Sequence, residues 1–174
     1  QDQLTNIENV TGTDQSDQLT GSDAANVIKG NAGDDVIAGF AGADTIDGGA
    51  GADAIAGGTG DDQLFGGAGA DQIAGDAGDD YIVGGIGADA IDGGTGTDEI
   101  DYSTDAAAGG DAGVTVDLAD GTATDGFGAQ DQLTNIENVT GTDESDTITG
   151  DSTTNVIAGL GGADTIDGGA GADA

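Results

Sequence analysis

The chain has 174 residues and sets 35 acidic residues against one cation, Lys29, for a formal net charge of −34. It contains no cysteine, which excludes disulfides and thiolate metal sites, and it offers no basic patch to nucleic acid or an anionic membrane. Glycine accounts for 37 residues, and proline, histidine, tryptophan and methionine are absent. Composition alone favours a disordered acidic chain, because carboxylates without counter-ions repel one another and oppose compaction.

A strict nine-residue period argues against disorder. Residues 12–101 form ten units without insertion in the frame G-G-x-G-x-D-x-U-x, where U is Ile, Leu or Val, and residues 48–56 and 66–74 show it clearly. The first six positions suit a turn, because glycine reaches positive φ values at little cost. The last three suit a short strand with U facing inward, which is stable only when it stacks on similar strands. We predict an all-β, right-handed parallel β-roll, a β-solenoid with two nonapeptides (18 residues) per turn.

Stacking of the turns predicts two ladders of acidic side chains at the sixth position of the frame. Residues 18 apart would lie at the inter-strand spacing of roughly 4.8 Å. One ladder comprises Asp17, Asp35, Asp53, Asp71 and Asp89, and the other comprises Asn26, Asp44, Asp62, Asp80 and Asp98. Carboxylates this close repel one another unless a hard dication lies between them, held by carboxylate and carbonyl oxygens. The ladders therefore predict Ca²⁺ between stacked turns.

From residue 102 to residue 140 the nine-residue frame is broken. Residues 114–118 alternate like a strand, and residues 133–139 are a weaker strand candidate. This stretch lacks the apolar residues for a core of its own. We therefore predict longer, irregular rungs that continue the coil, so that residues 1–174 form one continuous array.

A second, longer repeat is superimposed on the first. Residues 2–14 return letter for letter as residues 131–143, an offset of 129, and residues 141–174 begin a second copy of the block. The second copy adds Asp146, Asn155, Asp164 and Asp173 to the predicted metal ligands, for up to about ten Ca²⁺ ions in all. Sites that involve Asn26 and Asn155 are expected to be the weakest. The chain begins without methionine and stops inside a repeat, so we expect both ends to be cuts through a longer array.

The ten in-frame units resemble the RTX (repeats-in-toxin) family of calcium-binding proteins. That resemblance implies a parallel β-roll, bacterial type I secretion, and a chain that is unfolded in the low-calcium cytoplasm and folds outside the cell. Residues 101–103, 113–118 and 136–139 also resemble the spacer rungs of large RTX proteins. Phe40 and Leu160 depart from the frame by replacing its second glycine.

The outward positions of the strands predict two different faces. One sheet is expected to present Val36, Ala38, Ala54, Ala56, Ala74 and Ala90, and the other is expected to group Phe65, Tyr81 and Val83. A flat face of small side chains can pack against another sheet. Other copies of the chain are therefore candidate partners, by lateral or end-to-end packing.

Repetition of a whole block favours a structural role, because it lengthens a rod. We expect a calcium-rigidified segment of a secreted bacterial extracellular protein, such as an adhesin, a surface layer or a filament, with roughly seven turns or about 34 Å per block. The alternative is the C-terminal secretion and folding tail of a type I-secreted enzyme or toxin. No catalytic residues are predicted, because periodicity or surface exposure accounts for every carboxylate.

Overall fold

The computed structural model describes residues 8–174, which contain eighteen strands and one short helix. Strands β1–β11 are Asn9–Thr11, Gln18–Thr20, Val27–Ala32, Val36–Ala41, Thr45–Ala50, Ala54–Thr59, Gln63–Ala68, Gln72–Ala77, Tyr81–Ile86, Ala90–Asp92 and Glu99–Asp101. Helix α1 is Asp105–Ala108. Strands β12–β18 are Thr115–Asp117, Thr122–Thr124, Gln130–Thr134, Asn138–Thr140, Thr147–Thr149, Val156–Ala158 and Thr165–Asp167.

Odd and even units of the repeat fall into separate sheets. The eight-stranded sheet has the order β1-β3-β5-β7-β9-β11-β15-β17, and the ten-stranded sheet has the order β18-β16-β12-β13-β14-β10-β8-β6-β4-β2. In the regular part every pairing is parallel and joins residues 18 apart, as in Ile28 with Ile46 and Ile37 with Ile55. The predicted all-β parallel solenoid with 18 residues per turn is confirmed.

The inward residue of each unit builds a single narrow core between the sheets. Ile28, Ile46, Leu64, Ile82 and Ile100 have no exposed surface, and they stack in one row along the eight-stranded sheet. The ten-stranded sheet supplies the facing row, which comprises Ile37, Ile55, Ile73, Ile91, Leu133, Ala123, Val116 and Ile148. A three-residue strand buries too little apolar surface to be stable alone, so each turn depends on its neighbours.

The glycines of the frame allow the turns to stack in close contact. Gly69 has a φ of +145°, and a Cβ on it would overlap the carbonyl oxygen of Gly51 in the preceding turn. At the second position four residues with side chains also adopt positive φ, namely Asn31, Phe40, Asp76 and Leu160. Phe40 and Leu160 are exposed, so their side chains project into solvent while the backbone keeps the turn conformation of glycine.

The irregular segment, residues 102–129, departs from the coil and re-enters it at β14. The strand predicted at residues 114–118 is confirmed as β12, and the strand signal at residues 133–139 corresponds to the end of β14 and to β15. Antiparallel pairing of β12 with β13 and of β13 with β14 was not anticipated. Alternation alone does not specify strand direction, so this antiparallel arrangement could not be predicted from the sequence pattern.

The irregular segment makes the two sheets unequal in length. From Val10 to its 129-residue counterpart Val139, the eight-stranded sheet advances six strand steps, through β3, β5, β7, β9, β11 and β15. From Leu19 to Ile148 the ten-stranded sheet advances eight steps, because β13 and β12 are interposed. The expected seven turns per block is therefore the mean of two unequal faces. The two extra strands correspond to about 10 Å of additional sheet on one side.

The outer faces of the two sheets differ, and the predicted grouping of their residues is confirmed. On the eight-stranded sheet Phe65 packs edge-on against Tyr81, and Val83 is buried. Residues of the irregular segment, Thr104, Ala108 and Phe127, border a pocket with Phe65 and Val83 on this face. The ten-stranded sheet instead has an open, shallow groove lined by Val36, Ala38, Ala54, Ala56, Ala74 and Ala90 with polar residues at one end. Within residues 8–174, no helix has the length and apolar character needed to cross a membrane.

Candidate metal centre

Hydrogen bonds link the sixth-position residues into two continuous ladders. The backbone N–H of Asp35 donates to Oδ1 of Asp53 at 2.8 Å, and that of Asp53 donates to Oδ1 of Asp71 at 2.9 Å. On the other edge Asp44 donates to Asp62 and Asp62 to Asp80, both at 2.8 Å. Each carboxylate thus binds the backbone of the preceding turn through one oxygen.

The structure places the predicted residues in the expected ladders. Those that are buried are Asn26, Asp35, Asp44, Asp53, Asp62, Asp71, Asp80, Asp89, Asp98, Asp146 and Asn155. Asp17 and Asp164 are half-buried, and Asp173 is exposed where the coil ends. Coordination of calcium by these residues stays a prediction.

The second oxygen of each interior carboxylate has no hydrogen-bond partner. These buried, unpartnered Oδ2 atoms belong to Asp35, Asp44, Asp53, Asp62, Asp71, Asp80, Asp89 and Asp98. The chain's only cation cannot compensate them, because Lys29 lies on the surface with its Nζ 3.6 Å from Asp47. A buried carboxylate without a partner must either take up a proton or bind a metal ion.

For seven of these eight aspartates, all except Asp89, a backbone carbonyl oxygen converges with Oδ2 at the first glycine of the unit. A Cβ on Gly48 would lie 2.6 Å from Oδ2 of Asp53 and 2.7 Å from the carbonyl oxygen of Gly66 in the next turn. The same pair of oxygens surrounds the first glycines Gly30, Gly39, Gly57, Gly66 and Gly75. Carboxylate and carbonyl oxygens are the ligands that Ca²⁺ prefers, so the residues present fit that ion.

Carboxylates alone do not complete such a site. Within residues 8–174 no group of three or more His, Cys, Asp or Glu side chains is arranged to hold a metal ion. A cation between turns would therefore take backbone oxygens as well as carboxylates. A bound Ca²⁺ would supply the positive charge that the chain lacks, and the glycines keep the carbonyl oxygens accessible.

Burial alters the acidity of the interior carboxylates. It raises the pKa of Asp62, Asp71 and Asp80 to about 6 each, and the charges of neighbouring ladder residues add to the rise. The pKa values of Asp44, Asp53, Asp89 and Asp98 are also raised, again chiefly by burial. Near neutral pH the metal-free coil therefore carries buried charges that oppose folding.

The two amide positions differ in their hydrogen bonds from the eight aspartates whose Oδ2 has no partner. Oδ1 of Asn26 accepts the backbone N–H of Ser22 at 2.7 Å, and Oδ1 of Asn155 accepts that of Asp151 at 2.9 Å. Their oxygens therefore have protein partners, and the amides bring no charge to attract a cation. This geometry is in line with the expectation of weak sites at both positions, which stays a prediction.

Three residues of the ladders were missed by sequence reasoning. The backbone N–H of Asp89 donates to Oδ1 of Asp131 at 3.0 Å, and that of Asp98 donates to Oε2 of Glu137 at 2.9 Å. Val114 donates its N–H to Oδ1 of Asp146 at 2.8 Å and so takes a backbone position in the ladder. These hydrogen bonds join residues 42, 39 and 32 positions apart, so the 18-residue spacing did not predict them. Residues 131–133 have the same sequence, Asp-Gln-Leu, as residues 62–64. This identity was the available indication that Asp131 occupies a ladder position.

Replacement of Asp71 by Asn should have opposite effects with and without calcium. In chelator at pH 7 the change should favour the folded coil by up to about 3 kcal/mol, because it removes a buried charge whose pKa is raised from 3.8 to about 6. In calcium it should lower the number of bound ions and shift folding to higher Ca²⁺ concentration. Far-UV circular dichroism and calcium-binding isotherms measure both effects. Asp23→Asn, at an exposed position, is the control, and an Asp71→Asn protein that binds calcium like the wild type would contradict the assignment.

Metal-free protein should fold better in acid than at neutral pH. Folding raises the pKa of these carboxyl groups from 3.8 to about 6, so their protonation stabilises the folded state. This contribution is complete below pH 3.8 and is lost as the pH rises through about 6. We expect β-structure to increase when a chelated sample is taken from pH 7 to pH 5. With calcium the bound ions should instead dissociate over the same interval, because calcium binding needs ionised carboxylates. Equal β-content at both pH values without metal would argue against the buried carboxylates as the obstacle to folding.

Comparison with known proteins agrees with this geometry. A search of curated proteins found no match. The family model of the RTX calcium-binding nonapeptide repeat matches in four copies, at residues 11–46, 38–73, 65–100 and 140–174. These matches cover well over half of the chain and leave out most of the irregular segment. The parallel β-solenoid and the four matches together show that the chain belongs to the RTX family of calcium-binding repeat proteins.

Proposed function

We propose that this chain is a calcium-rigidified structural segment of a secreted bacterial extracellular protein, such as an adhesin, a surface layer or a filament. It has no catalytic role in this proposal. The observation that supports it most strongly is that the coil continues past the irregular segment. Asp131 and Glu137 accept hydrogen bonds from the last turn of the regular array, and parallel pairing of β11 with β15 and of β15 with β17 carries the eight-stranded sheet into the second block.

Calcium would stiffen such a coil along its axis. Each interior site joins oxygens from two successive turns, so a bound cation links neighbours that are otherwise held by short strands and close glycine contacts. Without the cation the same carboxylates repel one another across roughly 4.8 Å. The coil would therefore stay unfolded where calcium is scarce, as in the cytoplasm, and fold after type I secretion.

The alternative role is the C-terminal secretion and folding tail of a type I-secreted enzyme or toxin. It would use the same calcium ladders, so the ladders do not separate the two roles. The letter-for-letter return of residues 2–14 at residues 131–143 favours the rod, because a tail gains little from a second block. A parent protein with a catalytic domain and a single block would favour the tail.

Calcium should change the mechanical response of the whole chain. Stretched from its two ends in roughly millimolar Ca²⁺, the range in which extracellular calcium modules work, the chain should resist extension and then open turn by turn. In chelator it should stretch like a disordered polymer. Magnesium at the same concentration is the control, because Mg²⁺ demands a stricter octahedral geometry. Identical force–extension curves in calcium and in chelator would contradict a rod rigidified by calcium.

Association with a second copy belongs to the same proposal. The groove on the ten-stranded sheet is lined largely by alanine, with Asp92 as its one acidic lining residue, although the chain has 35 acidic residues. The opposite face is bordered by the irregular segment, so the groove is the open apolar face in the described part of the coil. A second, equally flat copy fits it, because small side chains let two sheets approach closely.

Lysine in this groove should abolish lateral association. We expect Ala54→Lys with Ala56→Lys to keep the calcium-dependent fold but sediment as a monomer at concentrations where the wild type associates. Gln63→Lys, on the outer face of the eight-stranded sheet, is the matched control and should associate like the wild type. Unchanged association of the double variant would exclude the groove as the contact.

A further inference from the structure

Asp125 lies in line with one acidic ladder although it is outside the nonapeptide frame. Asp131 follows Asp89 in that ladder, since the backbone of Asp89 donates to its carboxylate. Strand β13 then pairs antiparallel with β14, with Ala123 opposite Asp131 and Thr124 opposite Gln130. Asp125 is two positions from Ala123 and therefore faces the same side of the sheet. This makes Asp125 the diagonal neighbour of Asp131 on the inward side.

The side chain of Asp125 has one oxygen that the protein does not use. Its Oδ1 accepts the backbone N–H groups of Phe127 at 3.0 Å and Ala129 at 2.6 Å. Its Oδ2 is buried without a hydrogen-bond partner, and the residue is 1% exposed. It is the one such carboxylate oxygen in residues 8–174 that does not belong to a sixth-position aspartate.

Beside Asp89 this ladder lacks the backbone carbonyl oxygen found at its earlier positions. At the preceding first glycines of this ladder, a carbonyl oxygen of the next turn converges with the aspartate Oδ2. At Gly84 the nearest atoms are Oδ2 of Asp89, at 2.7 Å, a methyl group of Ile91 and the carboxyl carbon of Asp89. The missing carbonyl would come from a unit starting at residue 102, where the chain departs from the frame.

The other ladder does not have this gap. At Gly93 the carbonyl oxygen of Asn135 takes the place of the next-turn glycine oxygen and converges with Oδ2 of Asp98. On the Asp89 side, Asp131 has both of its oxygens engaged, since Oδ1 accepts from Asp89 and Oδ2 accepts the hydroxyl of Tyr102 at 3.1 Å. In the ladder of Asp89, the unpartnered carboxylate oxygens at the end of the regular array are therefore those of Asp89 and Asp125.

The electrostatics agree with this proximity. Burial, together with the charges of Asp89 and Asp125, raises the pKa of Asp131 to about 7. Burial also raises the pKa of Asp105 to about 6, with Asp125 as the largest contributor among the neighbouring charges. Four buried carboxylates thus lie together, and Lys29, the only cation of the chain, is paired with Asp47 elsewhere.

We propose that Asp125 is a calcium ligand supplied from outside the repeat, which holds a cation together with Asp89 where the nonapeptide frame ends. The irregular segment would then close the end of a calcium ladder as well as link two blocks. This inference rests on the calcium ladder of the proposed function. The competing reading is that Asp125 only stabilises the turn at residues 126–129 through Oδ1.

The isosteric change Asp125→Asn separates these readings, because Asn keeps the Oδ1 acceptor of the turn and removes the charged ligand. We expect the full chain with Asp125→Asn to bind one calcium ion fewer at saturation than the wild type, as counted by equilibrium dialysis. Asp120→Asn, an exposed acidic residue of the same segment, is the control and should bind the wild-type number. Terbium emission excited through Tyr102 should also be lost in Asp125→Asn and kept in the control.

These measurements separate calcium binding by Asp125 from calcium binding by the sixth-position aspartates. Unchanged calcium binding by Asp125→Asn, alongside a loss in Asp71→Asn, would overturn the role of Asp125 and leave the ladder intact. A wild type that binds no calcium would overturn both. If Asp125→Asn does not fold, wild-type crystals soaked in Tb³⁺ decide the question. An anomalous peak between Asp89 and Asp125 would support the site, and a peak in the ladder without one there would refute it.

Discussion

The fold depends on how the charge of its buried aspartates is neutralised. Eight sixth-position carboxylates each have one oxygen bonded to the backbone of the preceding turn and one buried oxygen without a partner. The chain has one cation against 35 acidic residues, so the protein cannot balance this charge itself. The strands are short, and each sheet contributes a single row of side chains to the core. In the proposed function a cation from the medium therefore supplies the missing charge, and the stacking and stiffness of the coil depend on it.

Much of this arrangement could be predicted from the sequence because the period is strict. The nine-residue spacing of Asp and of Ile or Leu determined the 18-residue turn, the two sheets and the positions of both ladders. Residues 102–129 could not be predicted in the same way, because alternation in β12 does not specify that β13 runs antiparallel to it. Asp131 and Glu137 reach the ladders through long-range hydrogen bonds, which no local spacing indicates.

The irregular segment affects the two sheets unequally. It adds two strands to the ten-stranded sheet and none to the other. The hydrogen bonds of β17 differ from those of its counterpart β3, since Val156 donates to the side chain of Asn138 at 3.0 Å. In the regular part the equivalent residue Val27 donates to the backbone carbonyl of Glu8 at 2.7 Å.

The most direct test of calcium as the missing counter-charge is a crystal structure of the chain grown in calcium, with the ions located by their anomalous scattering. The ladders predict ions along both edges of the coil, with Oδ2 of Asp35, Asp44, Asp53, Asp62, Asp71 and Asp80 within the calcium–oxygen distance of roughly 2.3–2.6 Å. A folded coil with ions only on exposed carboxylates, and none beside these buried oxygens, would contradict it.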